Sequence, residues 1–223
     1  MFELYNNRLF RALLVVTLIV SVSGVCIISF QQIHQRLLSS RIHFIEEKIN
    51  EIEQVVESYH QLSLYGRMTS EQAQQAALRT VSEMRFGDND YFWVVDFDGL
   101  FVMHPIDETL VGRPIEVIDT RDDEPLFKKV PRMLTEQGGG VVHYRWPKPG
   151  SKLAVDKISY LRSFEPWGWG LGSGVYIDDI NGLFWEEIEN LVIVGAVLIL
   201  ILLLFWYGFQ QAIFKHSGLN RSQ

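Results

Sequence analysis

Two uncharged apolar runs near the ends of this sequence limit what it can fold into. The first extends from Ala12 to Phe30 and the second from Leu191 to Phe209, each about 19 residues long. A helix of that length crosses a hydrocarbon core of about 30 Å, so we predict two transmembrane helices. The roughly 160 residues between them are enough for one domain.

The residues that flank these runs predict an orientation. Arg8 and Arg11 precede the first run, and Lys215 and Arg221 follow the second. Positive flanks stay on the cytoplasmic side, so we expect the tails 1–11 and 210–223 in the cytoplasm and residues 31–189 outside it. An alternative is a cleaved signal peptide, because Ser21-Val22-Ser23 offers a small-x-small triplet. The apolar run continues well past that triplet, which favours a membrane span.

Charge and cysteine content exclude several classes of function. The segment 31–189 has 16 basic and 26 acidic residues, a net charge of −10, which makes it a poor candidate for nucleic acid or anionic lipid. Any site for an anionic ligand must therefore be local. The single cysteine, Cys26, lies inside the first run, so no intramolecular disulfide is possible.

No catalytic or metal-binding pattern stands out. The sequence lacks G-x-S-x-G, H-E-x-x-H and a phosphate-binding P-loop, and its six histidines are not spaced as helical metal pairs. Asp88, Asp90, Asp96 and Asp98 are better explained as turn residues than as calcium ligands. We therefore expect neither an enzyme nor a cofactor or metal.

A long helix follows the first run. Apolar residues recur at steps of three and four with no proline or glycine before Gly66, the spacing of one helix face: Ile42, Ile45, Ile49, Ile52, Val56 and Tyr59. Such a stripe serves either packing within the domain or a coiled-coil seam between two copies. We expect a homodimer with Ile42, Ile45, Ile49 and Ile52 near its axis, while packing within the domain remains the alternative.

The rest of the domain predicts an α+β fold. Thr69 and Gln72 have capping-box spacing and open a second helix, and residues 122–136 form a third that Gly138-Gly139-Gly140 ends. Residues 91–95 and 100–103 form a hairpin around the turn Asp96-Phe97-Asp98-Gly99, apolar enough for both faces to be covered. Strands at 141–146, 157–164 and 171–177 complete a PAS-like antiparallel sheet of five strands with the long helix beside it.

Six sequence blocks carry a resemblance to a known family: Tyr91-Phe92-Trp93-Val94, Met103-His104-Pro105, Tyr144-x-Trp146-Pro147-Lys148-Pro149-Gly150, Lys157-Ile158-Ser159-Tyr160, Pro166-Trp167-Gly168-Trp169 and Gly172-x-Gly174-Val175-Tyr176. With these blocks in order, the sequence from about Arg36 to Ile180 resembles the single Cache domain family, the extracytoplasmic sensor domains of bacterial chemoreceptors and sensor kinases. The resemblance implies a PAS-like sheet, a bacterial plasma-membrane location and a pocket for a small molecule, often a short-chain carboxylate.

The sequence departs from the family pattern at its end. A helix pair and a methyl-accepting or kinase domain usually follow the second span in such receptors, whereas here the tail is residues 210–223. We expect either a truncated receptor or a sensor that signals through a cytoplasmic partner, in chemotaxis or a two-component pathway. A different function is a structural or interaction module that binds no small ligand and acts through a partner membrane protein.

Aromatic residues and one lysine form the candidate site. Aromatic walls with a few polar tips are typical of a small-ligand pocket. Tyr91 and Trp93 share one side of their strand, Tyr144 and Trp146 share one side of theirs, and His104 ends the neighbouring strand. Lys157 would supply the positive charge for a carboxylate. Tyr160 lies on the opposite side of its strand from Lys157, so the lysine is preferred as the site residue.

Packing in the core is the alternative role of each aromatic, and it is the role expected for Trp167 and Trp169. Lys148 is expected at the pocket rim or surface.

Overall fold

The chain divides into two compact units, Met1–Gln31 with Asn181–Gln223 and Gln32–Ile180. The computed structural model describes residues 8–87, 90–115, 125–179, 182, 188–189, 192–197, 199–201 and 203–204, with 8–16, 18, 19, 22 and 26 described by their helical backbone alone. The unit Gln32–Ile180 holds the sheet and all six candidate site residues.

The longest element is helix α1, Arg8–Leu64. Among the residues described in full, no helix is both long enough and apolar enough to cross a membrane. The predicted spans 12–30 and 191–209 lie partly outside those residues, and the predicted tails 1–11 and 210–223 lie wholly outside them.

The isoleucine stripe of α1 packs within its own domain. Ile45, Ile49 and Ile52 are fully buried in one core cluster with Val94 and Leu171 of the sheet. The predicted dimer seam is therefore wrong at Ile45, Ile49 and Ile52, because a side chain already enclosed by its own protomer cannot also contact a partner; Ile42, the fourth residue of that seam, is half-buried. The alternative, packing within the domain, is confirmed.

Helix α2, Ser70–Glu83, begins where the capping box predicted it. The Gln72 backbone N–H donates to Thr69 Oγ1 over 3.2 Å, and the Thr69 N–H donates to Gln72 Oε1 over 3.0 Å. Ala77 and Val81 bury against the same core cluster as α1, so both helices cover one face of the sheet.

The described residues form an antiparallel sheet of six strands: β1 Arg85–Phe86, β2 Asp90–Asp96, β3 Phe101–Met103, β4 Gly139–Pro147, β5 Ala154–Phe164 and β6 Trp169–Tyr176. The order is β1-β2-β6-β5-β4, and β3 pairs with β2. The α+β class with a PAS-like sheet is confirmed, but five strands is one too few. The missing strand, β1, has two residues and precedes a turn, so it shows no alternation that a sequence pattern could reveal.

The β2–β3 hairpin closes with the predicted turn. Asp96 Oδ1 accepts the backbone N–H groups of Asp98 over 3.0 Å and Leu100 over 2.8 Å, and Gly99 adopts a φ of 81°. Asp96 is thus a turn residue, as expected. Asp88 lies outside the described residues, and no group of three metal-ligating side chains occurs among the described ones.

A second layer covers the other face of the sheet. Helix α3, Leu126–Gln137, follows the 3₁₀ turn Glu108–Leu110 and ends at Gly138, whose φ is 73°. Its predicted start, 122–124, lies outside the described residues. Leu126, Val130 and Leu134 are buried in a cluster with sheet residues. The prediction that both faces of the hairpin are covered is confirmed, and the candidate site lies in this second layer.

Candidate ligand-binding site

Strand register brings the candidate residues to one face of the sheet. Lys157 is paired with Tyr144 on one side and with Tyr176 on the other, and paired residues point to the same face. Tyr91 and Trp93 of β2 belong to the same buried cluster as Tyr144. Alternation along four strands therefore places these side chains together, opposite the face that α1 and α2 cover.

The six predicted residues meet around a single small cavity. Its volume is about 10 Å³, room for about one water molecule. Phe101 and Ile115 complete a lining that otherwise consists of the predicted set: Tyr91, Trp93, His104, Tyr144, Trp146 and Lys157.

Lys157 is a buried cation beside the cavity. Its side chain is 1% exposed, and Nζ donates a hydrogen bond of 3.1 Å to Tyr91 Oη. The ammonium also lies 4.4 Å from the ring centroid of Tyr91 and 4.8 Å from that of Tyr176. No carboxylate among the described residues forms an ion pair with it. An ammonium has three donors and is costly to bury without a counter-ion, so this site favours an anionic partner.

His104 presents a neutral donor at the same cavity. Its Nδ1 accepts the Asp107 backbone N–H over 3.0 Å, so in the neutral ring Nε2 carries the proton. Burial, together with the positive charge of Lys157, lowers the pKa of His104 to about 4, and Asp107 acts in the opposite direction. The ring packs edge-on against Tyr91 at 5.2 Å and Phe101 at 5.5 Å, which fixes its orientation.

Two buried phenols supply neutral polar groups. Tyr144 Oη and Ser159 Oγ share a hydrogen bond of 2.9 Å, and Tyr176 Oη donates to the Pro147 carbonyl over 2.9 Å. Burial raises the pKa of both Tyr144 and Tyr176, so neither becomes a charge near neutral pH. Lys157 therefore provides the one positive charge among the described residues that line the cavity.

Trp93 depends on a glycine of the neighbouring strand. A Cβ at Gly172 would lie 2.6 Å from the indole ring of Trp93, closer than any carbon contact allows. Gly172 thus lets the indole lie flat against β6 and form one wall of the cavity. The Gly172-x-Gly174 block singled out in the sequence has a packing reason here.

The structure separates the remaining candidates from the cavity. Tyr160 lies on the helix-covered face, where its Oη is 3.4 Å from Glu46 Oε1. Tyr160 and Lys157 thus lie on opposite faces of the sheet, as their opposite parity predicted, and only Lys157 reaches the cavity. Trp167 and Trp169 pack in the helix-side core, as expected. Lys148 is a surface group whose side chain is 32% exposed.

Sequence reasoning missed Phe101, Ile115 and Tyr176. A shift in strand register between Val94 and Val95 disturbs alternation beside Phe101, and Ile115 lies in a loop with no period to read. Tyr176 could have been found, since it shares a side of β6 with Gly172 and Gly174.

Comparisons with known proteins agree with this architecture. The Single Cache domain 2 family profile matches residues 39–190. Methyl-accepting chemotaxis protein McpP of Pseudomonas putida is 33% identical over 199 residues, which are 89% of this chain and 36% of McpP. Sensor histidine kinase MctS of Rhizobium johnstonii is 31% identical over 111 residues, 49% of this chain and 24% of MctS. The chain thus spans about a third or less of these relatives.

A similar solved structure bears the description "Structural basis for carboxylic acid recognition by a Cache chemosensory domain". It superposes with a TM-score of 0.60 at 38% identity, and the alignment covers 65% of this chain and 98% of that one. An antiparallel sheet with helices on one face and a second layer with a small cavity on the other is the architecture of a PAS-like sensor domain. The chain belongs to the Single Cache domain 2 family.

Proposed function

We propose that this chain is a membrane-anchored sensor that binds a short-chain carboxylate in the cavity beside Lys157. The observation that carries the proposal is the buried ammonium of Lys157, which has no carboxylate counter-ion among the described residues. A bound carboxylate would accept hydrogen bonds from Lys157 Nζ and His104 Nε2, while the aromatic walls exclude water. The carboxylic-acid recognition described for the similar Cache domain supports the same ligand class.

The cavity is small compared with any carboxylate ligand. Because about 10 Å³ holds a single water, even acetate requires the lining to move outward. Small shifts of interface side chains on binding are common. The proposal therefore favours the shortest acids.

The proposal includes two membrane spans, at 12–30 and 191–209, with both termini in the cytoplasm. The uncharged runs support it, and so do large apolar side chains that are exposed in their described parts, including Val20 at 64% and Val194 at 57%. The signal passes to a cytoplasmic partner of chemotaxis or two-component type, the kinds of protein represented by McpP and MctS. We also propose a homodimer, through the outward side of α1 rather than its buried isoleucines.

A thermal-shift screen of the full chain in detergent tests the ligand class. We expect acetate or propionate to raise the melting temperature, because a ligand that binds the native state stabilises it by mass action. Amines and neutral sugars of similar size serve as matched probes. Stabilisation by these probes, with none by any acid, would exclude a carboxylate ligand.

The small size of the cavity also favours a second candidate, a structural or interaction module without a small ligand. In that case the side chains around Lys157 simply fill the space, and the signal arises from contact with another membrane protein. The same screen separates the two, because the module predicts no stabilisation by acids, amines or sugars.

A further inference from the structure

Tyr176 contacts two lysines that have different surroundings. The buried Lys157 Nζ lies 4.8 Å from its ring centroid, and the surface Lys148 Nζ lies 5.4 Å from the same centroid. The Tyr176 hydroxyl donates to the carbonyl of Pro147, directly before Lys148. One aromatic ring therefore connects the cavity with the tip of the β4–β5 hairpin.

Lys148 in turn holds the chain where it leaves the sheet. Its Nζ lies 2.9 Å from Asp178 Oδ2 and 2.7 Å from Asp179 Oδ1. These three residues, Lys148, Asp178 and Asp179, are named the exit clamp. The two aspartates follow β6 after Ile177 and precede the boundary of the domain unit at Ile180. Their side chains are 51% and 59% exposed, so each ion pair is screened by solvent and can form and break readily.

We propose that Tyr176 couples the charge state of the Lys157 cavity to the exit clamp, so that neutralising Lys157 tightens the clamp. A bound carboxylate is the natural neutralising agent, and in that part the inference rests on the proposed function. The exit clamp is then tighter when the cavity holds a ligand, and this difference acts on the segment that leads towards residues 191–209.

Competition between two cations for one ring gives the direction of the effect. A cation over a tyrosine ring is attracted by the ring quadrupole, by an amount that corresponds to a population shift of about two- to five-fold. A second positive charge beside the same ring repels the first and shares that attraction. When an anion pairs with Lys157, Lys148 interacts with Tyr176 more favourably and remains closer to Asp178 and Asp179. A bias of this size shifts populations without changing the fold.

Hydrogen exchange in the full chain tests the coupling without any ligand. Lys157→Met removes the buried charge and keeps an unbranched side chain that is one heavy atom shorter. We expect amide exchange at residues 177–179 to slow about two- to five-fold, the equivalent of one cation–π contact. Adding Lys148→Met should abolish the slowing, whereas adding Lys152→Met, which removes an exposed charge from the same hairpin, should leave it intact. Amide protection in helix α2 shows whether each variant is folded. If Lys157→Met does not fold, Lys157→Gln is used in its place.

The coupling is overturned if neutralising Lys157 leaves exchange at 177–179 unchanged, or slows it equally without Lys148. Acetate then tests the part that rests on the proposed function. In the unsubstituted chain it should slow exchange at 177–179, and Lys148→Met should weaken its binding by the same factor, because coupling is reciprocal. If Lys157→Met slows exchange while acetate does not bind, the carboxylate proposal fails and the coupling stands. If acetate binds without affecting 177–179, the coupling fails and the carboxylate proposal stands.

Discussion

His104 and Lys157 provide the cavity with two hydrogen-bond donors, one neutral and one positively charged. The histidine stays neutral because burial and the adjacent ammonium both disfavour a second positive charge. Its fixed Nδ1 acceptor role leaves Nε2–H available to a ligand. Two donors of different charge in one small, aromatic-walled space suit a single carboxylate group.

The depressed pKa of His104 predicts that the protein loses stability in acid. The unfolded histidine titrates near 6.5 and the folded one near 4, so the unfolded state binds the extra proton between these values. The contribution is present above pH 6.5 and is lost as the pH falls towards 4, up to about 3 kcal/mol of unfolding free energy. Denaturant unfolding at several pH values should show this slope.

His104→Asn should flatten that slope, because the amide oxygen retains an acceptor for the Asp107 N–H but does not titrate in this range. His43→Asn is the matched control, since His43 is a histidine of α1 whose side chain is 72% exposed. An equal pH slope in the original chain and the His104→Asn variant would contradict the assignment of a neutral, buried His104.

Side-chain parity explains why much of the site could be predicted from the sequence. A strand has a period of two, so Tyr91 with Trp93 and Tyr144 with Trp146 had to share faces once their strands were recognised. The same parity separated Lys157 from Tyr160. Ile115 could not be found in this way, because a loop has no period and its position depends on the whole second layer.

At the scale of elements, glycines of β6 determine how closely the aromatic layer approaches the sheet. The Cβ of an alanine at position 172 would lie 2.6 Å from the Trp93 ring. Trp93 must therefore shift, and the space into which its ring would move is the adjacent cavity. Gly172→Ala is expected to destabilise the fold by about 1–3 kcal/mol and to weaken binding of a short acid.

Urea unfolding of Gly172→Ala measures the loss of stability. Calorimetric titration of the same variant with a short carboxylic acid measures the loss of binding. Trp93→Phe in the same chain is the matched second change, because a smaller ring relieves the overlap and should recover part of the stability. If Gly172→Ala is neutral for both stability and binding, the indole does not depend on this glycine for its position.

Some features of the fold have a local signal in the sequence, and others have none. The capping box at Thr69 and the Asp-Gly turn at 98–99 are local signals, and the structure has both. The two-residue β1 is too short to show alternation, and the role of the isoleucine stripe depends on partners that are distant in the sequence. Helical spacing shows that Ile45, Ile49 and Ile52 share a face, but it cannot show whether that face meets a sheet or another copy of the chain.

At the scale of the whole molecule, the burial of the isoleucines restricts how two copies can meet. A proposed dimer through α1 must use its outward positions, among them His43, Glu47 and Gln54, which are exposed. Single cysteines at these positions, in a Cys26→Ser background, should crosslink in membranes. Cysteines at Ile45 and Ile49 should not, and they serve as buried controls. Crosslinking at the buried positions alone would contradict the packing described, and its absence everywhere would contradict a dimer through α1.

Calorimetric titration of the full chain with acetate and propionate, before and after Lys157→Met, tests the central claim most directly. A charge-assisted hydrogen bond of roughly 1.5–3 kcal/mol predicts a loss of affinity of about 10- to 150-fold for Lys157→Met, with the fold retained. Lys152→Met, which removes an exposed lysine outside the cavity, should bind as the original chain does. Equal affinity of the original chain and Lys157→Met for these acids would contradict a carboxylate site at Lys157.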